Sequence, residues 1–333
     1  MKTKLLLKAA LVALIFTACS KEDSTNNSDY TLKNESDGSL YALEQSNRDE
    51  MKQYFTFDAG EEAVTLTSES GVEIRVDPSR LTYRGRRVQG TVKVEYMEVF
   101  GLSSMVTTGL STMGVAEGEA NEDSALRPLI SGGEFFVNMT TEDGQRLDDG
   151  SPYTLAVPTE LTGGEENSEE MIIWVAQEDE DGDVVWEKDL DDDGNEKEVP
   201  VVDGKYIMEL LSFGLCNIDK FEAIAGEERT PLSVDVPDGY DDTNSSVYVA
   251  YQGNINLLGE IKFFDPATQM FEEYNPIFPV GATVNVIFVS GQGSQWLFAV
   301  KQVTLVGNDI IVIDQSDLNT TNNPGLIAML NSL

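Results

Sequence analysis

Histidine is absent from this chain of 333 residues, and cysteine occurs only twice, at Cys19 and Cys216. The first absence removes imidazole acid-base chemistry, Ser-His and Cys-His nucleophile pairs and His-ligated zinc, and with them most hydrolase mechanisms recognisable in a sequence. Two cysteines make no disulfide framework. Positive charge is scarce as well: 22 Lys and Arg face 59 Asp and Glu, a formal charge of −37. Such a surface repels nucleic acid, whose recognition rests on cationic contacts to phosphate, and it repels anionic lipid surfaces too. Nucleic acid is therefore excluded as a partner, while cations, basic proteins and neutral solutes are favoured. Carboxylate-only glycosidase chemistry survives, because it needs two carboxyl groups near each other in space only. No glycosidase motif stands in the chain. Apolar runs are short: Leu5 to Phe16, interrupted by Lys8, covers about a dozen residues where a spanning helix needs roughly 20.

What the N-terminus does contain is informative. Lys2 and Lys4, the apolar run, and the small residues Thr17 and Ala18 are the three parts of a secretion signal. Phe16-Thr17-Ala18-Cys19 resembles a bacterial lipobox. Cys19-Ser20-Lys21-Glu22-Asp23 resembles the export signal of Bacteroidota surface lipoproteins, in which a Lys and two acidic residues follow the lipidated Cys. The resemblance implies a signal peptide over residues 1–18, lipid on Cys19, and export under the direction of Lys21, Glu22 and Asp23 to the outer leaflet of the outer membrane. Lipid then holds the protein to the membrane: one acyl chain binds marginally, whereas two or more anchor stably at about 0.8 kcal/mol per buried CH₂. Losing residues 1–18 removes three Lys and no acid, leaving a formal charge of −40. With Cys19 lipidated, Cys216 is the one free thiol, expected to be buried and structural, since Lys220 is the only cation near it in sequence.

Residues 19–52 are polar and rich in Ser, Asn, Asp and Glu, the composition of a disordered tether. Residues 42–54 at its end have helical character. Asp23-Ser24-Thr25 and Asp123-Ser124-Ala125 resemble the Bacteroidota O-glycosylation acceptor, which makes Ser24 and Ser124 candidate modification sites. From Phe55 the pattern turns to short alternating segments separated by Gly, Pro, Asp and Asn, as antiparallel strands require. Ala63–Thr67, Val72–Val76, Val88–Tyr96, Gly133–Met139 and Tyr153–Pro158 are the segments, with Glu142-Asp143-Gly144-Gln145 as a hairpin turn. Ser70–Pro78, Gly90–Glu98 and Leu129–Val137 together resemble a β domain of Bacteroidota surface lipoproteins. That domain is distantly similar to the β-sandwich module of ankyrins, netrin receptors and zona occludens proteins. The resemblance covers roughly Phe55 to Glu160, within a first β-sandwich domain expected over residues 53–160, and implies protein interaction without catalytic residues.

Residues 161–226 form the most acidic region and a connector. Met171–Val175 and Val184–Trp186 read as a hairpin in which Trp174 and Trp186 pack across strands, with a ligand platform as the rival reading. Asp189, Asp191, Asp193 and Asn195, followed by Gly194 and acidic Glu196 and Glu198, open like a calcium loop that then departs from the pattern at Lys197 and Pro200. These four residues are the candidate metal ligands, calcium is the only cofactor suggested, and a solvated acidic turn is the other reading. From residue 227 a second β domain runs to residue 333, six or seven strands spaced as in an immunoglobulin-like or transthyretin-like sandwich. Asp317 is positioned to cap a short C-terminal helix over Pro324 to Leu333. Tyr248, Tyr251, Phe271, Tyr274 and Trp296 form either an aromatic face for sugars or core.

The fold expected is thus all-β: two antiparallel β-sandwich domains in tandem, with an N-terminal tether and a short C-terminal helix. The function expected is that of a non-catalytic surface lipoprotein, a protein-interaction or accessory subunit at the bacterial outer membrane. The alternative is a glycan-binding lipoprotein of a nutrient-uptake system.

Overall fold

Strands appear where apolar side chains recur at every second position. In Thr91–Val99, Val92, Val94 and Tyr96 are fully buried while Lys93 points outward, the period that a half-buried sheet imposes. The computed structural model describes residues 39–60, 62–116, 126–164, 169–178, 184–222, 228–253 and 256–333. Leu32–Leu333 form one compact unit, within which two β-sandwiches follow one another.

The first sandwich packs a seven-stranded sheet on a five-stranded one. The larger runs in the order Gln53–Asp58, Thr91–Val99, Leu126–Thr141, Gly214–Phe221, Ile172–Glu178, Val184–Lys188, Met113–Val115. The smaller runs Val201–Val202, Lys205–Leu210, Tyr153–Pro158, Glu73–Val76, Val64–Thr67. Val92, Val94, Phe135, Val137 and Ile218 from one sheet meet Ile74, Val76, Leu155, Val157 and Met208 from the other in one core. Each such burial contributes roughly 1.5–3 kcal/mol. Residues 161–226, expected as a hairpin region and connector, instead supply three strands of the larger sheet and two of the smaller. The boundary expected at residue 160 therefore falls inside this core, because Ile173, Tyr206, Met208, Cys216 and Ile218 find their apolar partners there. The turn after Thr141 forms, with Gly144 N–H donating to Thr141 O at 2.9 Å. The chain then crosses to the opposite sheet, so Tyr153–Pro158 is no hairpin partner of Leu126–Thr141.

The larger sheet also closes on itself. Met113–Val115 pairs in parallel with Val184–Lys188, at Gly114 and Trp186, and antiparallel with Leu126–Thr141, at Met113 and Pro128. Five strands thereby form a ring. A bulge at Gly132-Gly133 shifts the register against Gly214–Phe221 and re-aims the long strand to make the closure.

The second sandwich is plainer. Its four-stranded sheet runs Phe263–Asp265, Met270–Pro279, Arg229–Asp235, Asp309–Val312, and its five-stranded sheet Leu258–Glu260, Ser245–Tyr251, Thr283–Gln292, Gln295–Thr304, Asn319–Thr321. Leu232, Val234, Phe271 and Phe278 face Val247, Val249, Val286 and Phe288 between the sheets.

Three helices fasten the sandwiches together. Ser39–Met51, a little earlier than the expected 42–54, packs on the second sandwich's Thr283–Gln292 strand and on the helix Leu102–Thr108 of the first. It ends there because Tyr54 and Phe55 enter the strand alternation. The C-terminal helix Asn323–Leu330 packs on Leu102–Thr108 as well. Its cap is Asn322, whose side chain accepts from Gly325 N–H at 3.0 Å, with Pro324 in the first turn. Asp317, the expected cap, closes a separate short turn with Asp314. Asn323 donates to Asn47, and the buried Arg48 guanidinium donates to the carbonyl of Thr108. Backbone bonds complete the seam: Thr112 N–H to Leu258 O at 3.0 Å, Leu258 N–H to Thr112 Oγ1 at 2.9 Å and Ser131 N–H to Asn256 O at 2.9 Å. The edge strand Leu258–Glu260 is thus covered by the first sandwich and presents no open ladder there.

Candidate functional site

Cys19, Lys21, Glu22, Asp23, Ser24 and Ser124 lie outside the described residues. The calcium candidates are arranged otherwise than around a cation. Asp189 holds Lys197 Nζ at 2.8 Å. Asp191 accepts from the backbone N–H of Asp193 at 2.9 Å and of Asn195 at 2.8 Å, and these bonds hold its carboxyl below the usual range. The Asn195 amide nitrogen, a donor, also points at Asp191, at 3.1 Å. Their oxygens close a tight hairpin turn with Gly194 at φ 82°. No group of three or more acidic or cysteine side chains suited to a metal occurs among the described residues.

Trp174 and Trp186 are diagonal neighbours on one face of their hairpin, with Trp186 opposite Ala176 and Trp174 opposite Lys188. Both are fully buried, which removes the ligand-platform reading. They fill the five-stranded ring. Trp174 meets Phe221 edge-on at 5.2 Å and donates to Asp219 O at 2.9 Å, and Trp186 donates to Ser111 O at 2.8 Å. Cys216 is buried in the first core, where burial pushes its thiol far up.

The other face of that strand, which Trp174 shares, holds a pair of carboxyl groups that no local sequence pattern marks. Glu134 stands opposite Asn217 across the strands, and Asn217 donates to Asp219 Oδ2 at 2.7 Å. All three have 0% exposure. Burial raises Glu134 well above the ordinary carboxylate range, and the nearby Asp219 adds to it. Burial raises Asp219 likewise, partly offset by Ser131 and Gly132. Two carboxyls that resemble a glycosidase pair in type are here sealed from any polysaccharide, and they are protonated where solvent-exposed acids are charged.

The five aromatic candidates divide. Tyr248, Phe271 and Trp296 are core, and Tyr251 is partly covered. Tyr274 is 60% exposed and lies against Phe263, itself 51% exposed, with ring centroids 5.4 Å apart. A hydrogen bond to Glu272, with Asp265 close by, pushes the Tyr274 hydroxyl up to about 12. Thr268 Oγ1 donates to Glu272 at 3.0 Å. Across the same sheet face, Ile310 and Val312 are also exposed, on the opposite edge strand from Phe263. The register places Phe263, Glu272, Ser233 and Ile310 in one row, and Leu232 and Val234 turn to the core on either side of Ser233. This face, an apolar and acidic patch on a rigid sheet, is the candidate binding surface. Phe263 was overlooked in the sequence although Phe263-Phe264 carries the signal: two successive aromatics in a strand put one ring on each face. Phe264 takes the inner place, against Phe271 at 5.3 Å. A third exposed aromatic, Tyr54, borders a shallow groove of about 230 Å³ with Thr56, Lys93, Glu95, Asn138 and Thr140.

The fold defines the class: an all-β protein of two sandwiches joined by helices. No known family model matches the chain, and no curated protein does.

Proposed function

We propose that the chain is a non-catalytic lipoprotein of the bacterial outer membrane, lipid-anchored at Cys19 and exposed on the cell surface, where it binds a partner protein as an accessory subunit. The observation that carries this reading is the outer face of the four-stranded sheet. Phe263, Tyr274, Ile310 and Val312 expose apolar surface there beside Glu272 and Asp265, on a body whose other strands alternate toward core. Large exposed aromatics near acidic groups suit a partner with apolar and basic side chains. The paired strands of that sheet, whose inner side chains Leu232, Val234, Phe271 and Phe278 fill the second core, keep the face preorganised, which lowers the entropic cost of association.

A double variant, Phe263→Ser with Tyr274→Ser, tests the reading. The wild-type chain, solubilised with detergent from membranes, is expected to co-purify with one protein in fixed stoichiometry. The variant is expected to lose that protein while melting within 2 °C or so of wild type, as exposed substitutions do. Retention of the protein by the variant would sink the assignment of this face. Anchoring is checked separately by Cys19→Ser, which is expected to move the chain out of the membrane fraction.

Glycan binding in a nutrient-uptake system is the second reading, favoured by Tyr54 beside its shallow groove, whose mainly apolar lining also carries Glu95, Asn138 and Thr140. It requires glycan-array binding that Tyr54→Ala abolishes and that Phe263→Ser leaves intact.

A further inference from the structure

Residues 78–94 contain Arg80, Arg84, Arg86, Arg87 and Lys93 and no acid, in a chain with 59 acids. Four of these cations lie on or beside one hairpin. Thr82–Tyr83 pairs with Arg86–Arg87, and the two linking residues, Arg84 and Gly85, both have positive φ, 51° and 68°. A two-residue turn of this kind prefers Asn-Gly, because an ordinary side chain is strained at the first position. Arg occupies it here.

The surroundings fix the turn and leave the Arg84 and Arg86 guanidinium groups without an acidic partner among the described residues. Asp148, the acid nearest the turn, accepts from the backbone N–H of Arg84 at 2.8 Å and of Gly85 at 2.7 Å. Those bonds hold its carboxyl below the usual range. Tyr83 donates to Gln145 at 2.8 Å, and the Arg84 guanidinium lies 5.2 Å over the Tyr83 ring. Arg87 is held by the carbonyl of Gly60 at 2.8 Å. Among the described residues no carboxylate pairs with Arg84 or Arg86. Between these side chains and Val88, Gln89 and Thr141 runs an open groove of about 530 Å³, inside the range of about 300–1,000 Å³ of small-molecule sites.

We infer that this hairpin is a binding site for an anionic saccharide unit, one bearing sulfate, phosphate or carboxylate. Planar guanidinium forks take such groups bidentately. The Tyr83 ring, the Gln89 amide and the Thr141 hydroxyl supply apolar and neutral polar contacts for the ring and hydroxyls between them. The strongly negative remainder of the surface confines anionic groups to the hairpin. The site is separate from the aromatic face of the second sandwich, so the two assignments stand or fall apart.

The full chain in detergent, titrated with dextran sulfate and with unsulfated dextran, gives the test. Dextran sulfate is expected to bind, more weakly as salt rises, and dextran to show no binding. Arg84→Asn and Arg86→Gln are each expected to weaken binding by about tenfold or more, the scale of a lost charge-assisted contact. Arg84→Asn places the preferred residue in the turn, so its melting temperature is expected to hold or rise, which separates lost binding from lost folding. Arg75→Gln, which removes an arginine paired with Glu73 at 2.6 Å away from the hairpin, is expected to bind as wild type. Undiminished binding by the Arg84→Asn, Arg86→Gln double variant would overturn the site. Capture by phosphatidylglycerol vesicles as strong as by dextran sulfate, and lost in the same double variant, would overturn the saccharide in favour of a membrane surface.

Discussion

Thr112 and Arg84 mark two ways in which this chain uses polar side chains. Thr112, wholly buried in the seam, accepts from Leu258 N–H with its hydroxyl and donates its own backbone N–H to Leu258 O. Arg84 stands on an exposed turn with its guanidinium over a tyrosine ring and no carboxylate partner among the described residues. The seam joins two sheets, so its polar groups must pair within the chain or carry the cost of burial. At the hairpin Asp148 pairs the backbone of Arg84 and Gly85, and the Arg84 and Arg86 side chains meet no carboxylate among the described residues. Substitutions in the two regions therefore read out different quantities, stability in the seam and binding at the hairpin.

The largest expected effect lies where the ring is filled most tightly. A methyl group at Gly114 would stand 2.7 Å from Leu129 and 2.9 Å from Trp174. Neither has room to withdraw, since Leu129 is buried and Trp174 is fixed by its bond to Asp219 O. Gly114→Ala is expected to destabilise by about 2–3 kcal/mol, the cost of overpacking, as a lower urea midpoint at unchanged slope. No change in midpoint would mean that the ring is looser than its contacts imply.

That ring was the part of the fold least legible in the sequence. The alternation of Thr91–Val99 or Thr283–Gln292 announces strands directly, and the all-β class with two sandwiches follows from such segments. Their partners do not follow. Met113–Val115 is three residues long and sits in a stretch without alternation, yet it closes the larger sheet. Pairing over such separations depends on which apolar faces meet in three dimensions, and no local pattern encodes that. The same limit explains why residues 161–226 read as a connector: their acidic turns dominate the composition, while Ile173, Met208 and Ile218 carry the packing. At the candidate sites, composition masked the arginine hairpin, because a net charge of −37 hides a local cluster of the opposite sign. The calcium-like run had the right residue types, but its Asp191 oxygens turn inward to the loop's own N–H groups.

The buried carboxyl pair gives an intermediate effect that depends on pH. Glu134 binds its proton more tightly in the folded chain than in the unfolded chain, where its value is about 4.3. Its penalty is absent below that value, and stability falls as pH rises toward the raised folded value. Among the described residues neither of its carboxyl oxygens has a hydrogen-bond partner, so Gln can replace it without losing a contact. Glu134→Gln is expected to match wild type near pH 4 and to exceed it by a margin that widens as pH rises toward 8, read as the difference between their urea midpoints. Parallel pH profiles of the two proteins would show that Glu134 ionises freely and that its pocket is open to water.

The smallest effect tests the seam itself. Thr112→Val keeps the shape and the backbone bond to Leu258 O but leaves Leu258 N–H without its side-chain acceptor. The expected loss is about 1 kcal/mol, the low end of the cost of one buried donor left unsatisfied. Hydrogen exchange separates two ways of absorbing it. If the sandwiches are held mainly by the helix bonds of Arg48 and Asn323, protection falls only at Leu258 and its neighbours. If the Thr112 bonds hold the edge strand in place, protection falls along Leu258–Glu260 and at Val249, which faces Gly259 in the adjoining strand. The two hydrogen bonds at Thr112 cover the strand's open edge directly, so the second pattern is the one expected.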